Sequence, residues 1–303
     1  MIDRDVVNHL LGQLTARHGL QVDQCDVIHA WELSVVYRLR LPRGSVIFKC
    51  ATHPFTGEAS LLRWAKRHGL PVPGVLGSEH HARHLAMLQE DLGQPARVAG
   101  ELDAAQAAAL VHRTPAPQSL RRYGPDELAR LPGRTTDRLV RLRRSGRFLD
   151  AAGLDEPLAA LVAAAQHRAE GAHRQPFGFC HGELHPTSLH RGADRYWLLD
   201  FGKAFHGPGL LDLATWYGTR QPPDQDQVTD LIERYVTAGG HAEALVCRGG
   251  LSAAAWALGW HRVWAAAWFI EQATTGAFDA ATDAAHSIIV HRQLAAAAIL
   301  LRC

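Results

Sequence analysis

The sequence predicts an α+β fold in two lobes, a small N-terminal lobe carrying an antiparallel sheet and a larger, mostly helical C-terminal lobe. Three observations point to it. Val35–Leu41 and Ser45–Ala51 read as strands on either side of Pro-Arg-Gly at 42–44, the pattern of a hairpin. Beyond residue 93 most runs have helical spacing. One short strand-and-turn stretch, 180–200, interrupts them. With 303 residues, 47% hydrophobic and 20% charged, the chain is long enough for ordinary cores and too apolar for general disorder.

The elements follow in order. Residues 2–18 carry apolar positions at helical spacing. After the hairpin, Gly57–His68 reads as a helix with Leu61, Leu62 and Ala65 on the face of Glu58. Gly69 is its C-terminal cap, and Pro71 and Pro73 stop any continuation. Strands near 75–77 and at 84–89 complete a small sheet. Gln89–Gly93 reads as the exit from it and suits a hinge, dividing the chain into lobes 1–92 and 93–303. Helices are expected at 103–112 and 155–169. A hairpin is expected over Cys180–Asp200, then a helical segment containing Asp212, and helices at 224–238, 251–270 and 280–301. No internal repeat is visible.

Composition removes several function classes. Net charge is +2, from 32 Lys and Arg against 30 Asp and Glu, so nothing calls for nucleic acid. The five cysteines are scattered and form no C-x-x-C pair, which argues against a disulfide framework and a zinc site. The first ten residues hold no apolar signal core. The Ala- and Trp-rich stretch 251–270 contains His261 and Arg262 and reads as a buried helix rather than a membrane span. A soluble, cytoplasmic protein without a membrane partner is expected. Seven arginines lie between Arg130 and Arg147 with one acid, Asp137. They read as the solvated face of a helical insertion or as an anion contact.

The chemistry concentrates in His181-Gly-Glu-Leu-His-Pro-Thr-Ser188 and Tyr196-Trp-Leu-Leu-Asp-Phe-Gly202. Glu183, Ser188 and Asp200 fall at the ends of structural elements. That arrangement suits holding a metal-nucleotide and steering a hydroxyl toward it. Lys49 sits inside an otherwise apolar strand, where burial is costly unless a partner compensates, and Glu58 on the following helix is the natural partner.

These segments resemble the catalytic core of the aminoglycoside phosphotransferase and choline kinase family, which shares the protein-kinase fold. His181, Gly182, His185 and Asp200 match its H-G-D-x-H-x-x-N and I-D-F patterns. Glu183 stands where that family has its catalytic Asp, and Ser188 where it has a metal-binding Asn. Motifs carry the resemblance over residues 25–93 and 180–215. It implies that Lys49 and Glu58 hold nucleotide phosphates, with Gln89 and Asp91 at the sheet exit as further nucleotide contacts. It also implies that Asp200 and Ser188, with Thr187 as an adjacent alternative, bind magnesium. Glu183 is then the catalytic base, His185 an assistant at the transferring phosphate or a packing residue, His181 a brace, and Asp212 the acid of a D-L-A motif that fixes the catalytic region from behind. His190 and His206 have no assigned role.

Where that family places glycines before the V-Y-R strand, this chain has His-Ala-Trp-Glu-Leu-Ser at 29–34. Ser34 is the remaining polar contact for phosphate. Trp31 covers the nucleotide or points into the acceptor site, and Glu32 would repel a triphosphate unless a cation intervenes. Trp256, Trp260, Trp264 and Trp268 recur every fourth residue, and successive rungs drift by about 40°. They pack a helical lobe, or one or two wall an acceptor pocket.

The expectation is an ATP- or GTP-dependent, magnesium-dependent O-phosphotransferase. Its acceptor is a small hydroxylated molecule, an antibiotic or a metabolite, and the protein a monomer or homodimer. The alternative is a degenerate kinase fold that binds a nucleotide or small molecule without turnover.

Overall fold

The fold comes from a computed structural model that describes residues 2–148 and 153–303. The chain opens with α1 (Arg4–Arg17), β1 (Gln24–Ala30), β2 (Ser34–Arg40), β3 (Ser45–Thr52), α2 (Glu58–Arg67), β4 (Val75–His81) and β5 (His84–Glu90). It continues with α3 (Glu101–Arg113), α4 (Pro125–Arg144), α5 (Asp155–Arg168), β6 (Phe177–Cys180), β7 (Leu189–Arg191), β8 (Tyr196–Leu198) and β9 (Phe205–Pro208). Four helices close it: α6 (Leu210–Thr215), α7 (Gln225–Thr237), α8 (Ala253–Thr274) and α9 (Asp283–Leu301). These elements form two units. One is the chain up to Ala99 with Thr187–Lys203; the other is Gly100–Pro186 with Ala204–Cys303. The first carries an antiparallel sheet and the second is mostly helical, a bilobal α+β architecture of the protein-kinase kind.

In the first unit five strands lie in the order β1-β2-β3-β5-β4, every neighbouring pair antiparallel. Asp3 caps α1 by accepting the Asp5 amide at 2.9 Å. Val7, Leu10 and Leu14 of α1 pack on Val35 and Leu39 of β2, Val46, Phe48 and Cys50 of β3, and Ala86 and Leu88 of β5. Strand side chains alternate between faces, so Lys49, between Phe48 and Cys50, points away from α1. That alternation is what delivers it to Glu58 on α2. The β7–β8 hairpin belongs to this unit: the Leu198 amide donates to the Pro71 carbonyl at 2.7 Å, and the Ala96 amide to the Arg191 carbonyl at 2.8 Å.

In the second unit β6 pairs antiparallel with β9, Cys180 opposite Phe205. Helix starts are set by local capping. The Gly100 amide donates to Asp103 and the Gly124 amide to Glu127, each at 2.9 Å, and Pro125 occupies the first turn of α4. Helix α8 is buried on most sides, and the indole N–H groups of Trp256 and Trp260 donate to the Arg168 carbonyl at 2.7 and 3.0 Å. Trp268 packs edge-on against Phe269 and Phe278. These three rungs are packing residues. Of the seven arginines between 130 and 147, Arg130, Arg134, Arg141 and Arg144 are exposed, the solvated face expected of this stretch, and the other three pair with other helices. Arg138 pairs with Glu271 at 2.6 Å, Arg143 with Asp155 at 2.7 Å and Arg147 with Asp283 at 2.5 Å, tying α4 to α8 and α5 and the turn after α4 to α9. Among the described residues one stretch, Ala280–Leu301, is long and apolar enough to cross a membrane. It packs against α8 and α5 within this unit.

Two features depart from the sequence expectation. Strand β1 was not foreseen, because its residues are exposed on both faces apart from half-buried Asp26 and so lack the alternation that betrays a half-buried strand. Backbone pairing with β2, from Gln24 opposite Arg40 to Ala30 opposite Val35, holds it as an edge strand. The expected hairpin over Cys180–Asp200 is in fact two sheets: β7 pairs with β8, whereas β6 leaves to pair with β9.

Candidate functional site

The first unit brings Lys49, Glu58 and Asp200 together. Lys49 is nearly buried, at 9% exposure, and Glu58 is at 1%. Lys49 Nζ lies 2.9 and 2.8 Å from the two Glu58 carboxylate oxygens and 2.6 Å from Asp200 Oδ1. Burial by itself would lower the Lys49 pKa, but the charges of Asp200 and Glu58 and their hydrogen bonds more than reverse it. The amine therefore stays protonated across the neutral range.

Asp200 follows β8 and has φ of +61°, left-handed backbone that Asp tolerates better than most residues. Its side chain is 46% exposed, so the carboxylate meets Lys49 while still facing solvent. Phe201 behind it is buried. Gly202 leaves no room for a side chain: a Cβ there would lie 2.5 Å from Phe55 Cδ1. Phe55 in turn meets the Trp31 ring edge-on at 5.8 Å, and Lys203 Nζ stands 5.8 Å from the Phe55 ring centroid. Ser188 lies in the 3-10 turn before β7; it is buried, and its carbonyl accepts the Leu199 amide at 2.8 Å. Thr187 beside it is exposed.

The remaining nucleotide candidates have local partners. Ser34 is buried, and its hydroxyl accepts the Trp31 indole N–H at 2.9 Å across the β1–β2 turn. Gln89 is buried on β5, its amide 3.4 Å from the Met87 sulfur. Asp91 accepts from Arg38 Nε at 2.7 Å and Nη2 at 3.0 Å, from the Ser45 hydroxyl at 2.5 Å and from the Gly93 amide at 2.9 Å. Arg38 was absent from the sequence reading. Its signal was an arginine interrupting the V-V-Y-R-L-R-L strand, but its partner Asp91 lies 53 residues further on, beyond any local spacing.

Glu183 and His185 belong to the second unit, on the loop after β6. Both are half-buried. Asp212 at the start of α6 holds this loop: the His181 amide donates to Oδ2 and the Gly182 amide to Oδ1, each at 2.6 Å. Gly182 has φ of +83°, which lets the chain turn tightly enough for adjacent amides to reach one carboxylate. The Glu183 amide then donates to His181 Nδ1 at 3.2 Å, and the Thr215 hydroxyl reaches the Leu184 carbonyl at 2.9 Å. His112, which the sequence reading did not single out, is the side-chain partner of Asp212, its Nε2 at 3.2 Å from Oδ2.

Residues 28–246 match the profile of a phosphotransferase enzyme family. No curated sequence relative matches the chain. Three solved structures share the fold at low identity. A choline/ethanolamine kinase family protein from Mesorhizobium loti has 15% identity and a TM-score of 0.62, over 98% of this chain and 99% of that one. An amicoumacin kinase in complex with AMP-PNP, Ca2+ and Ami has 13% identity and a TM-score of 0.61, over 97% and 95%. A spectinomycin phosphotransferase in complex with ADP and spectinomycin has 14% identity and a TM-score of 0.58, over 95% and 98%.

Proposed function

The chain belongs to the phosphotransferase enzyme family, and from that membership we propose that it moves the γ-phosphoryl group of ATP or GTP to a hydroxyl of a small molecule. The observation that carries this reading is the shared cation: one buried lysine between a sealed glutamate and a half-exposed strand-end aspartate. A structural ion pair would need only one carboxylate. The second is half-exposed and can meet the metal ion of a polyphosphate, and engaging that ion would turn the shared ammonium toward the phosphate oxygens.

In this mechanism Glu58 holds Lys49 in place, and Lys49 offers its ammonium to the phosphate oxygens. Magnesium, when bound, would neutralise phosphate charge. Asp200 fits it, being a hard oxygen donor with half of its side chain exposed. Ser188 is assigned as a second oxygen ligand. Its burial means the Thr187–Ser188 turn must open for the hydroxyl to reach a cation, and exposed Thr187 is the alternative donor. Glu183 orients the acceptor hydroxyl and takes its proton. The hydroxyl oxygen then bonds to the γ-phosphorus, the bond from that phosphorus to the β–γ bridging oxygen breaks, and the nucleoside diphosphate leaves. His185 supports the transferring group by hydrogen bonding. Gln89 and Asp91 lie at the sheet exit assigned to the nucleotide; with the Asp91 carboxylate engaged by Arg38 and Ser45, its part is to rigidify that exit. We place the enzyme in the cytoplasm, with an antibiotic or metabolite as acceptor.

A second reading, nucleotide or ligand binding without turnover, is favoured by the β1–β2 turn. It lacks glycine, and Trp31 occupies the Ser34 hydroxyl. One experiment separates the two. Hydroxylated antibiotics and metabolites are incubated with Mg-ATP or Mg-GTP and read for an added phosphoryl mass, with Glu183→Gln as control. A product formed about 100-fold more slowly by the variant supports transfer. Mg-ATP binding with no product from any acceptor supports the binding protein.

A further inference from the structure

Behind the loop that carries Glu183 lies a chain of buried polar groups that the proposed mechanism does not use. Asp212 is fully buried, and each of its oxygens accepts one backbone amide of the loop. Oδ2 also faces His112 Nε2 at 3.2 Å, and His112 Nδ1 faces the Tyr235 hydroxyl at 3.2 Å. The Tyr235 oxygen accepts the His241 amide at 3.3 Å. A carboxylate oxygen only accepts, so Nε2 carries the imidazole proton and Nδ1 is left to accept the Tyr235 O–H. Every donor then points the same way, from the His241 amide through Tyr235 and His112 to Asp212. Burial pushes the Tyr235 phenol up to about 12, which keeps it a donor.

The space around this chain is shaped to it. A Cβ on Gly209 would lie 2.5 Å from His112 Cε1, and one on Gly240 would lie 2.3 Å from the Tyr235 ring. Both glycines admit the rings against the backbone. Cys180 Sγ also lies nearby, and the ligand atoms of His112, Cys180 and Asp212 fall within 4.8 Å of one another. That spacing would suit a metal. However, both imidazole nitrogens and both Asp212 oxygens already have hydrogen-bond partners, and burial holds the Cys180 thiol well above its ordinary pKa. A hydrogen-bonded brace accounts for the cluster without an ion.

We propose that His112 and Tyr235 are positioning residues for the Glu183 loop, acting through Asp212. The imidazole fixes the rotation of the Asp212 carboxylate, so both oxygens stay in line with the amides of His181 and Gly182. Tyr235 fixes the imidazole. Buried networks of this kind rigidify when every member is satisfied, and a loose member transmits its freedom to the next. The catalytic side of this inference rests on the reading of Glu183 as the carboxylate that meets the acceptor.

The test compares His112→Gln, His112→Asn and Tyr235→Phe in the full chain. The Gln amide nitrogen can stand where Nε2 stands and keep the bond to Asp212. The Asn amide matches Nδ1 and loses it. Amide hydrogen exchange at His181 and Gly182 is measured beside unfolding stability and beside steady-state kinetics with Mg-ATP and an acceptor found by the mass screen. The inference expects exchange at both amides to rise about tenfold or more in His112→Asn but not in His112→Gln, beyond any change in global stability. It expects kcat in His112→Asn to fall about 10- to 100-fold, with the KM for Mg-ATP unchanged. Tyr235→Phe keeps the ring against Gly240 and falls between the two, and it carries the test if His112→Asn does not fold. Equal exchange at His181 and Gly182 in all three variants and the parent overturns the inference. Absence of phosphoryl transfer by the parent overturns the functional reading instead, while the exchange comparison still decides the brace.

Discussion

Lys49 Nζ and Asp200 Oδ1 stand 2.6 Å apart although 151 residues separate them in the chain. The same ammonium meets both oxygens of Glu58, so one cation is shared between a sealed carboxylate and a solvent-facing one, and the trio keeps a net negative charge. Their unequal burial gives the two acids different consequences on mutation.

Replacing Lys49 with Met leaves Glu58 buried without its counter-charge. A loss of roughly 3–5 kcal/mol in unfolding free energy is expected. Lys49→Met with Glu58→Leu recovers most of that stability, because both charges are gone, yet neither variant binds Mg-ATP. Denaturant titration and calorimetric binding read the two effects separately. Stability restored together with nucleotide binding would show that Lys49 has no part in holding phosphate.

Asp200→Asn is expected to separate chemistry from folding in the other direction. Asn tolerates the left-handed backbone at this position, and the side chain is half-exposed, so the melting temperature stays near that of the parent. Single-turnover transfer falls by roughly 10²- to 10³-fold as the charge is lost. Undiminished transfer would remove Asp200 from the mechanism.

Gly202→Ala forces a methyl group to within 2.5 Å of the Phe55 ring. The expected cost is about 1–3 kcal/mol of overpacking. Phe55→Leu in the same chain opens space and returns part of it. Thermal unfolding of the single and double variants checks this; additive losses would mean the two residues do not touch.

The Arg38–Asp91 pair makes stability depend on acid pH. Burial alone would raise the Asp91 pKa, but hydrogen bonds from Arg38, Ser45 and the Gly93 amide hold it below its ordinary value. With a folded pKa below the unfolded value of about 3.9, the pair stabilises fully above that value and loses its contribution as pH falls through the folded pKa. The destabilisation caused by Arg38→Met is therefore large at pH 7 and shrinks toward zero in strong acid. Urea unfolding at the two pH values measures it. A difference independent of pH would assign the effect to lost packing of the Arg38 stem.

Local pattern carried much of this architecture. The β2–β3 hairpin, the helix bearing Glu58, and the helices at 103–112, 155–169 and 224–238 were legible because each declares itself by period, cap or turn chemistry within about fifteen residues. Lys49 was legible as a charge out of place in an apolar strand. Strand β1 was not, since an edge strand exposed on both faces is specified by backbone pairing and leaves no alternation in its side chains. His112 and Tyr235 were not, since a histidine near a helix end and a tyrosine on an amphipathic helix look like ordinary packing until their neighbours are known.

By itself the sequence determined the two-part α+β character, the strand and helix periods, and the chemical types available: a buried-strand lysine, a strand-end acid and an H-G-E-L-H loop. Only the tertiary structure decided which of these meet. Lys49 reaches Asp200 across 151 residues, and His112 reaches Asp212 across 100. It also decided that β6 would leave its expected hairpin for β9. The physical reason is range. Periodicity and capping act within a few turns of chain, whereas an ion pair or a buried hydrogen bond forms between whichever groups packing brings within about 3 Å, however far apart they lie in sequence.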